Sequence, residues 1–209
     1  MMNGKGQFIA FLLSLVSTVV FSQNFSKQYG KIGKDEIELK SYALDKDAEA
    51  VVLFDMAKSY FIRNDNSFDV MFERTTRIKI LSEAGIKWAE VEIPFYQEDE
   101  IYEEVRDVEA VAYNFENGQL KKSVFNVSNM FDEKINNSWN AKKFAIPNVK
   151  EGTIIEFRYK IYSQYIFNFR DWNFQWKIPV VYSEYIAKMI PFYEYTYILR
   201  IYIYVYIRD

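Results

Sequence analysis

The sequence contains no cysteine and no histidine in 209 residues, and only seven glycines and four prolines. Without cysteine there is no disulfide framework, so the core alone must hold the fold. A lipid-anchored lipoprotein is excluded for the same reason. Without histidine as well, neither a Cys–His nor a Ser–His nucleophile pair can be assembled, and a Cys/His zinc site is ruled out. No basic stripe of the kind that tracks nucleic acid is visible. No Pro/Gly/Ser-rich linker divides the chain, which predicts one domain. There is no internal period of 20–50 residues, so solenoids and propellers are excluded. What is present is an ample supply of core material: 50 % of residues are apolar and 19 % aromatic.

Residues 1–22 have the build of a secretory signal peptide. Lys5 supplies a positive start, and Phe8 to Phe21 is an unbroken apolar and hydroxyl run. Val20 and Ser22 then flank a cut before Gln23 in the small-residue pattern of such sites. The run is short of the ~20 residues that span a bilayer; an uncleaved N-terminal anchor is the competing reading. Cleavage removes Lys5 and no acid, so 26 Lys+Arg become 25 against 29 Asp+Glu, a mildly acidic balance. The expectation is an exported protein, periplasmic or secreted, with no membrane association after cleavage and no nucleic-acid partner.

The mature chain alternates like a β-protein. Gln23 to Gly33 is polar and reads as a loosely held lead-in. Lys34–Ser41 reads as a short helix, with Asp35 and Glu36 early and Lys40 late. Ala50–Ile62 is apolar on both faces, as in the middle of a sheet. Phe68, Val70, Phe72, Thr76, Ile78 and Ile80 alternate with polar residues. Ser82–Gly85 reads as a hairpin turn with a positive-φ Gly85, followed by a strand with a bulge near Trp88. Gln97 to Asp107 holds six acids and one base. It reads as a solvated connection, since a calcium loop would want regular spacing and a glycine. Asn117-Gly118 is a strong hairpin signal. Ser128–Asn140 reads as a polar surface connection carrying Trp139. Between Phe144 and Pro191 two aromatic rows stand out. Ile155, Phe157, Tyr159 and Ile161 form one, and Trp172, Phe174, Trp176 and Ile178 the other. Each alternates with polar residues and predicts a strand. Tyr182–Ile190 is one more. The sum is an all-β fold: an antiparallel β-sandwich of about nine strands, with one short N-terminal helix and a closed barrel as the runner-up. The domain is expected over residues 23–191.

Residues 192–209 form an atypical tail in which Ile or Val alternates with Tyr from Ile201 onward. As a terminal strand it has no polar face. Ile-Tyr repeats are also what an AT dinucleotide repeat encodes, so a truncated or frameshifted end is the second reading.

Several segments together resemble a known family. They are Ala48-Glu-Ala-Val-Val-Leu, Ile78-Lys-Ile-Leu-Ser-Glu-Ala-Gly, Ile146-Pro-Asn-Val-Lys-Glu-Gly-Thr-Ile-Ile-Glu-Phe-Arg-Tyr, Arg170-Asp-Trp with Ile178-Pro, and Tyr182-Ser-Glu-Tyr with Ile190-Pro. In that order they are similar to domain of unknown function 3857, the N-terminal β-domain of bacterial exported transglutaminase-like proteins, common in Bacteroidetes. The resemblance spans about Tyr29 to Pro191. It implies a β-sandwich that precedes a Cys-His-Asp catalytic core, the partner in cis in longer relatives. No catalytic residue carries over, because this chain has no Cys or His. The expectation is therefore no enzyme activity, no cofactor, no metal, and an accessory or substrate-positioning role. The alternative is a free-standing exported glycan- or peptide-binding protein, with Trp139 near Asn136, Asn137 and Asn140 as the candidate contact. An enzyme that uses only carboxylates, such as a glycosidase, needs a suitably spaced acid pair that sequence cannot show.

Overall fold

The computed structural model describes residues 25–65, 67–98, 101–167, 169–191, 193–196 and 198. The segment expected to be a signal peptide and most of the 192–209 tail lie outside the described residues. Within them the chain is all-β. Nine strands run β1 (Ala50–Arg63), β2 (Phe68–Ile80), β3 (Glu90–Glu98), β4 (Ile101–Glu116), β5 (Gln119–Val124), β6 (Phe131–Lys134), β7 (Trp139–Ala145), β8 (Ile154–Ser163) and β9 (Ser183–Lys188). One short helix, α1 (Lys34–Glu38), precedes them. Hydrogen bonds join all nine strands into one open sheet in the order β6-β7-β3-β4-β8-β2-β1-β9, with β5 beside β4. Every pairing is antiparallel except β1 with β9, which is parallel.

The expected sandwich is thus one sheet whose wings share a core. β3 meets β4 over two residue pairs only, Gln97↔Tyr102 and Glu98↔Ile101. Beyond that corner, Val91 and Ile93 of β3 and Phe144 of β7 enter the same buried cluster as Ile78, Ile80, Ala110, Ala112, Ile155 and Phe157. A bulge in β4 between Arg106 and Glu109, with Asp107 at φ 51°, adds local bend. Pro94 sits inside β3 at no cost in hydrogen bonding. Gln97 N–H donates to Ser138 O and Ile146 N–H to Ala89 O in the same register, which puts Pro94↔Ala141 in a non-hydrogen-bonded pair.

The Asn117-Gly118 hairpin forms as expected, with φ 52° and 77° at its two turn residues. The other expected hairpin does not. Glu83–Ala89 is a 3-10 helix, and β3 pairs with β7 rather than with β2. Leu81 and Ser82 N–H groups are taken by Glu49 O, which turns the chain away from β2. Gly85 is needed there for its size and not for a positive φ: a Cβ would lie 2.2 Å from Glu49 O. Gly85→Ala is expected to cost about 1–3 kcal/mol through overpacking, read as a lowered thermal midpoint.

Four further expectations are corrected. Trp172–Ile178 is irregular, with bends at Phe174, Lys177 and Ile178, and belongs to no strand. Its rings are used against the core face: Trp172 stacks on Tyr185 at 5.7 Å and Trp176 lies 5.7 Å from Trp88. The alternation therefore reports packing against a sheet, not membership of one. The acid-rich stretch after Gln97 is largely the start of β4, and the polar stretch after Ser128 contains β6 and the start of β7. Polar side chains on these short or edge elements are satisfied by ion pairs such as Lys142–Asp132 at 2.7 Å. The lead-in ahead of α1 is tightly held, by a network described below.

Candidate docking surface

The register of the strands places one set of ends together. Arg63 of β1 faces Phe68 of β2, Val70 faces Ser163 of β8, and Glu103 of β4 faces Ser163 from the other side. Tyr96 near the end of β3 faces Trp139 at the start of β7. Lys188 of β9 faces Tyr60. Aromatic side chains gather at this end from separate elements. Tyr96 and Trp139 meet edge to face at 5.5 Å, Tyr165 approaches Tyr96 at 6.3 Å, and Phe167 approaches Tyr165 at 6.4 Å. Farther along, Phe61 contacts Phe169 at 5.1 Å, Tyr193 at 5.9 Å, Phe68 at 6.3 Å and Tyr195 at 6.4 Å. Tyr165 and Phe167 after β8 belong to the first group and Phe169 to the second, so both groups draw on the same stretch of chain. Phe167 is 83 % exposed and Trp139 38 %. Ile198, the last described residue, follows Tyr195 and is also exposed.

Trp139 is therefore not in a polar loop but at the head of a strand, as one ring of the first group. The asparagines expected around it do not converge on it. Asn136 Oδ1 accepts from the N–H groups of Ser138 and Trp139, both at 3.0 Å, which closes the turn before β7. Asn137 is exposed. Asn140 lies opposite Phe95, on the other face of the β3–β7 ribbon from Trp139, and its amide reaches Gln97 Oε1 at 3.4 Å. That other face opens into a cleft of about 340 Å³ lined by Phe95, Gln97, Tyr102, Glu103, Glu104, Val105, Asp132 and Lys142. Its carboxylates already have partners: Glu104 pairs with Arg106 at 2.5 Å, Asp132 with Lys142, and Glu103 with Arg170. Among the described residues no group of three or more His, Cys, Asp or Glu could hold a metal ion.

Two buried charge networks support the sheet, and the sequence did not single out either. On the core face, the fully buried Asp55 accepts from Arg74 Nε at 2.9 Å and Nη2 at 2.8 Å, Thr76 Oγ1 at 2.8 Å and Trp176 Nε1 at 3.0 Å. The Arg74 guanidinium lies 5.0 Å from the Trp172 ring and 5.4 Å from that of Trp176. On the outer face, Arg77 sits between Glu36 and Glu156, each at 2.7 Å, and none of the three is exposed to solvent. Glu36 also accepts the Gly33 N–H at 2.5 Å, which fixes the start of α1. Nearby, Lys79 Nζ donates to Gly152 O at 2.7 Å and Ile37 O at 3.0 Å.

Burial pushes the Lys79 ammonium down to about 8, with Glu36 opposing in part. A neutral amine keeps two N–H groups, enough for both carbonyls. Burial, with help from Glu156, pushes the Tyr113 phenol up to about 12. The signs differ. Lys79 binds its proton more weakly folded than unfolded, so stability rises as pH climbs from about 8 toward 10.5. Tyr113 holds its proton more tightly when folded, so its contribution is lost between about 10 and 12. Urea midpoints are expected to peak near pH 10, and Lys79→Met should flatten the rising limb alone.

The fold and this surface define an all-β domain whose most distinctive exposed feature is an aromatic end. The chain belongs to the domain of unknown function with a solved structure DUF3857, whose model matches residues 67–199, more than half of the chain. The match begins in the β1–β2 turn, so the lead-in, α1 and β1 lie ahead of it. A solved structure from Parabacteroides distasonis, described as a "putative protease", is similar at 8 % identity and a TM-score of 0.43. The similarity covers 56 % of this chain and 23 % of that one, so this chain spans under a quarter of that protein's length. No curated protein matches.

Proposed function

We propose that this domain is an exported, non-catalytic module whose aromatic end seats a transglutaminase-like catalytic domain and positions it or its substrate. The carrying observation is the convergence of rings from β1, β3, β7, the segment after β8 and the segment after β9 on one end of the sheet. Exposed Tyr, Trp and Phe in a contiguous group are the residues enriched at protein interfaces and at their energetic centres.

The test titrates the protein from Gln23 onward with a separately expressed transglutaminase-like core from a longer relative. Binding is expected, weakened at least tenfold by Phe167→Ser with Trp139→Ser, two exposed changes that leave the core intact. Absence of binding in trans at high micromolar concentration would overturn the proposal. A glycan- or peptide-binding role would use the same rings. A glycan array that lights up with wild type and goes blank with Trp139→Ala would favour it over docking.

A further inference from the structure

The outer face of the main sheet is covered by a segment that belongs to none of its strands. Among the described residues, no backbone-to-backbone hydrogen bond joins residues 25–38 to a strand. The sheet holds this segment with side chains, and it holds mostly main-chain groups. Arg77 donates to Ser26 O at 2.7 Å and to Gln28 O at 2.8 Å. Glu156 accepts the Gly30 N–H at 2.8 Å, and Lys79 donates to Ile37 O. One side chain of the segment, Glu36, completes the set by pairing with Arg77. Apolar anchors flank this polar seam: Phe25 and Leu39 pack with Val51 and Leu53, and Ile32 and Ile37 pack against Val111 and Ile154. Binding a backbone through fixed donors and acceptors while apolar pockets take alternate side chains is how proteins recognise peptides.

We infer that this face is a peptide-binding groove occupied in cis by residues 25–38, and that the same segment of a second copy of the chain can take the seat. The link between the segment and β1 is built for that exchange. It is a run of turns between Lys40 and Glu49, with Leu44 86 % exposed, and Tyr42 is its one apolar contact with the buried cluster of Val51 and Leu53. The groove chemistry also selects its occupant. Arg77 with Glu156 leaves one cationic donor set facing the segment, so an acid at the Glu36 position is required and a neutral residue there leaves part of a buried guanidinium unpaired. This inference does not depend on the aromatic end, and its test is independent of that reading.

A protease recognition sequence placed after Leu44 in the full mature chain is cut once the protein has folded. A fluorescent peptide of residues 25–40 is then added in excess. The label is expected to become protein-bound, to be displaced by unlabelled peptide, and to bind at least tenfold more weakly when it carries Glu36→Gln. Uncut wild type refolded at high concentration is expected to yield a fraction of dimer that Glu36→Gln abolishes. A cut segment that never exchanges over days in excess peptide would overturn the groove. Loss of the β circular dichroism on cutting would do the same, by making the segment part of the folding unit. A monomer at every refolding concentration would overturn the exchange between copies.

Discussion

Replacing Arg77 by methionine is expected to take away a third or more of the stability of this domain. The guanidinium serves two carboxylates and two carbonyls, and neither it nor its acidic partners touch solvent. Its removal leaves Glu36 and Glu156 facing each other without a cation in a place water cannot reach. Breaking a buried pair by deleting one partner costs about 3–5 kcal/mol. A domain of ordinary stability has only about 5–15 kcal/mol in total. Two stranded charges place Arg77→Met at the upper end of the first range, since methionine fills the volume and the loss is electrostatic. With a urea slope of about 1–3 kcal/mol per molar, the midpoint should fall by about 2 M. Lysine does not rescue, because a point charge cannot fork between two acids. The triple change Arg77→Met, Glu36→Gln, Glu156→Gln should recover at least half of the loss by removing the unpaired charges. A loss below 1 kcal/mol for Arg77→Met alone would refute the buried geometry. The effect should also be nearly independent of salt, unlike that of surface pairs such as Lys143–Glu133, where screening acts freely.

That network explains where sequence reasoning succeeds and where it stops. Strand β1 is legible because it is apolar on both faces, and β2 and β8 because their apolar residues alternate. The same alternation makes Arg77, Lys79 and Glu156 look like a solvent-facing row. They are buried because residues 25–38 cover them, and a cover brought from 40 or more positions away leaves no mark in a local pattern. Trp172 to Ile178 shows the reverse error, a period of two produced by lying on a sheet rather than in it. The parallel β1–β9 pair was equally hidden, since it needs a long return rather than a turn. The aromatic end was partly within reach. Phe61, Phe68, Tyr96, Trp139 and Tyr165 all lie within two residues of a strand end. Antiparallel pairing brings those ends together, but the polar composition around Gln97 and Ser128, which reads as connection, hides the strands β4, β6 and β7 that complete the pairing.

Asp55→Ala is the second change with a large expected effect, and it reaches a different part of the fold. Asp55 is fully buried and accepts four hydrogen bonds, from Arg74 twice, Thr76 and Trp176. The carboxylate thereby ties the Trp172–Ile178 segment, which has no ladder of its own, to the centre of the sheet. Alanine leaves Arg74 between two indole rings with no counter-ion. The cost is again about 3–5 kcal/mol, but the signature should be local first. Trp176 loses its indole acceptor and Trp172 loses the cation fixed beneath its ring. Near-ultraviolet circular dichroism should therefore fade at urea concentrations where the far-ultraviolet signal of the strands persists, a separation that wild type does not show. Arg74→Met in the same chain should cost less than the sum of the two single changes, because both act on one network. Additive losses, or coincident loss of both signals in Asp55→Ala, would mean that the segment is held by apolar packing alone. In that case Trp176 stays on Trp88 without its hydrogen bond, and Asp55 is a burden the core tolerates.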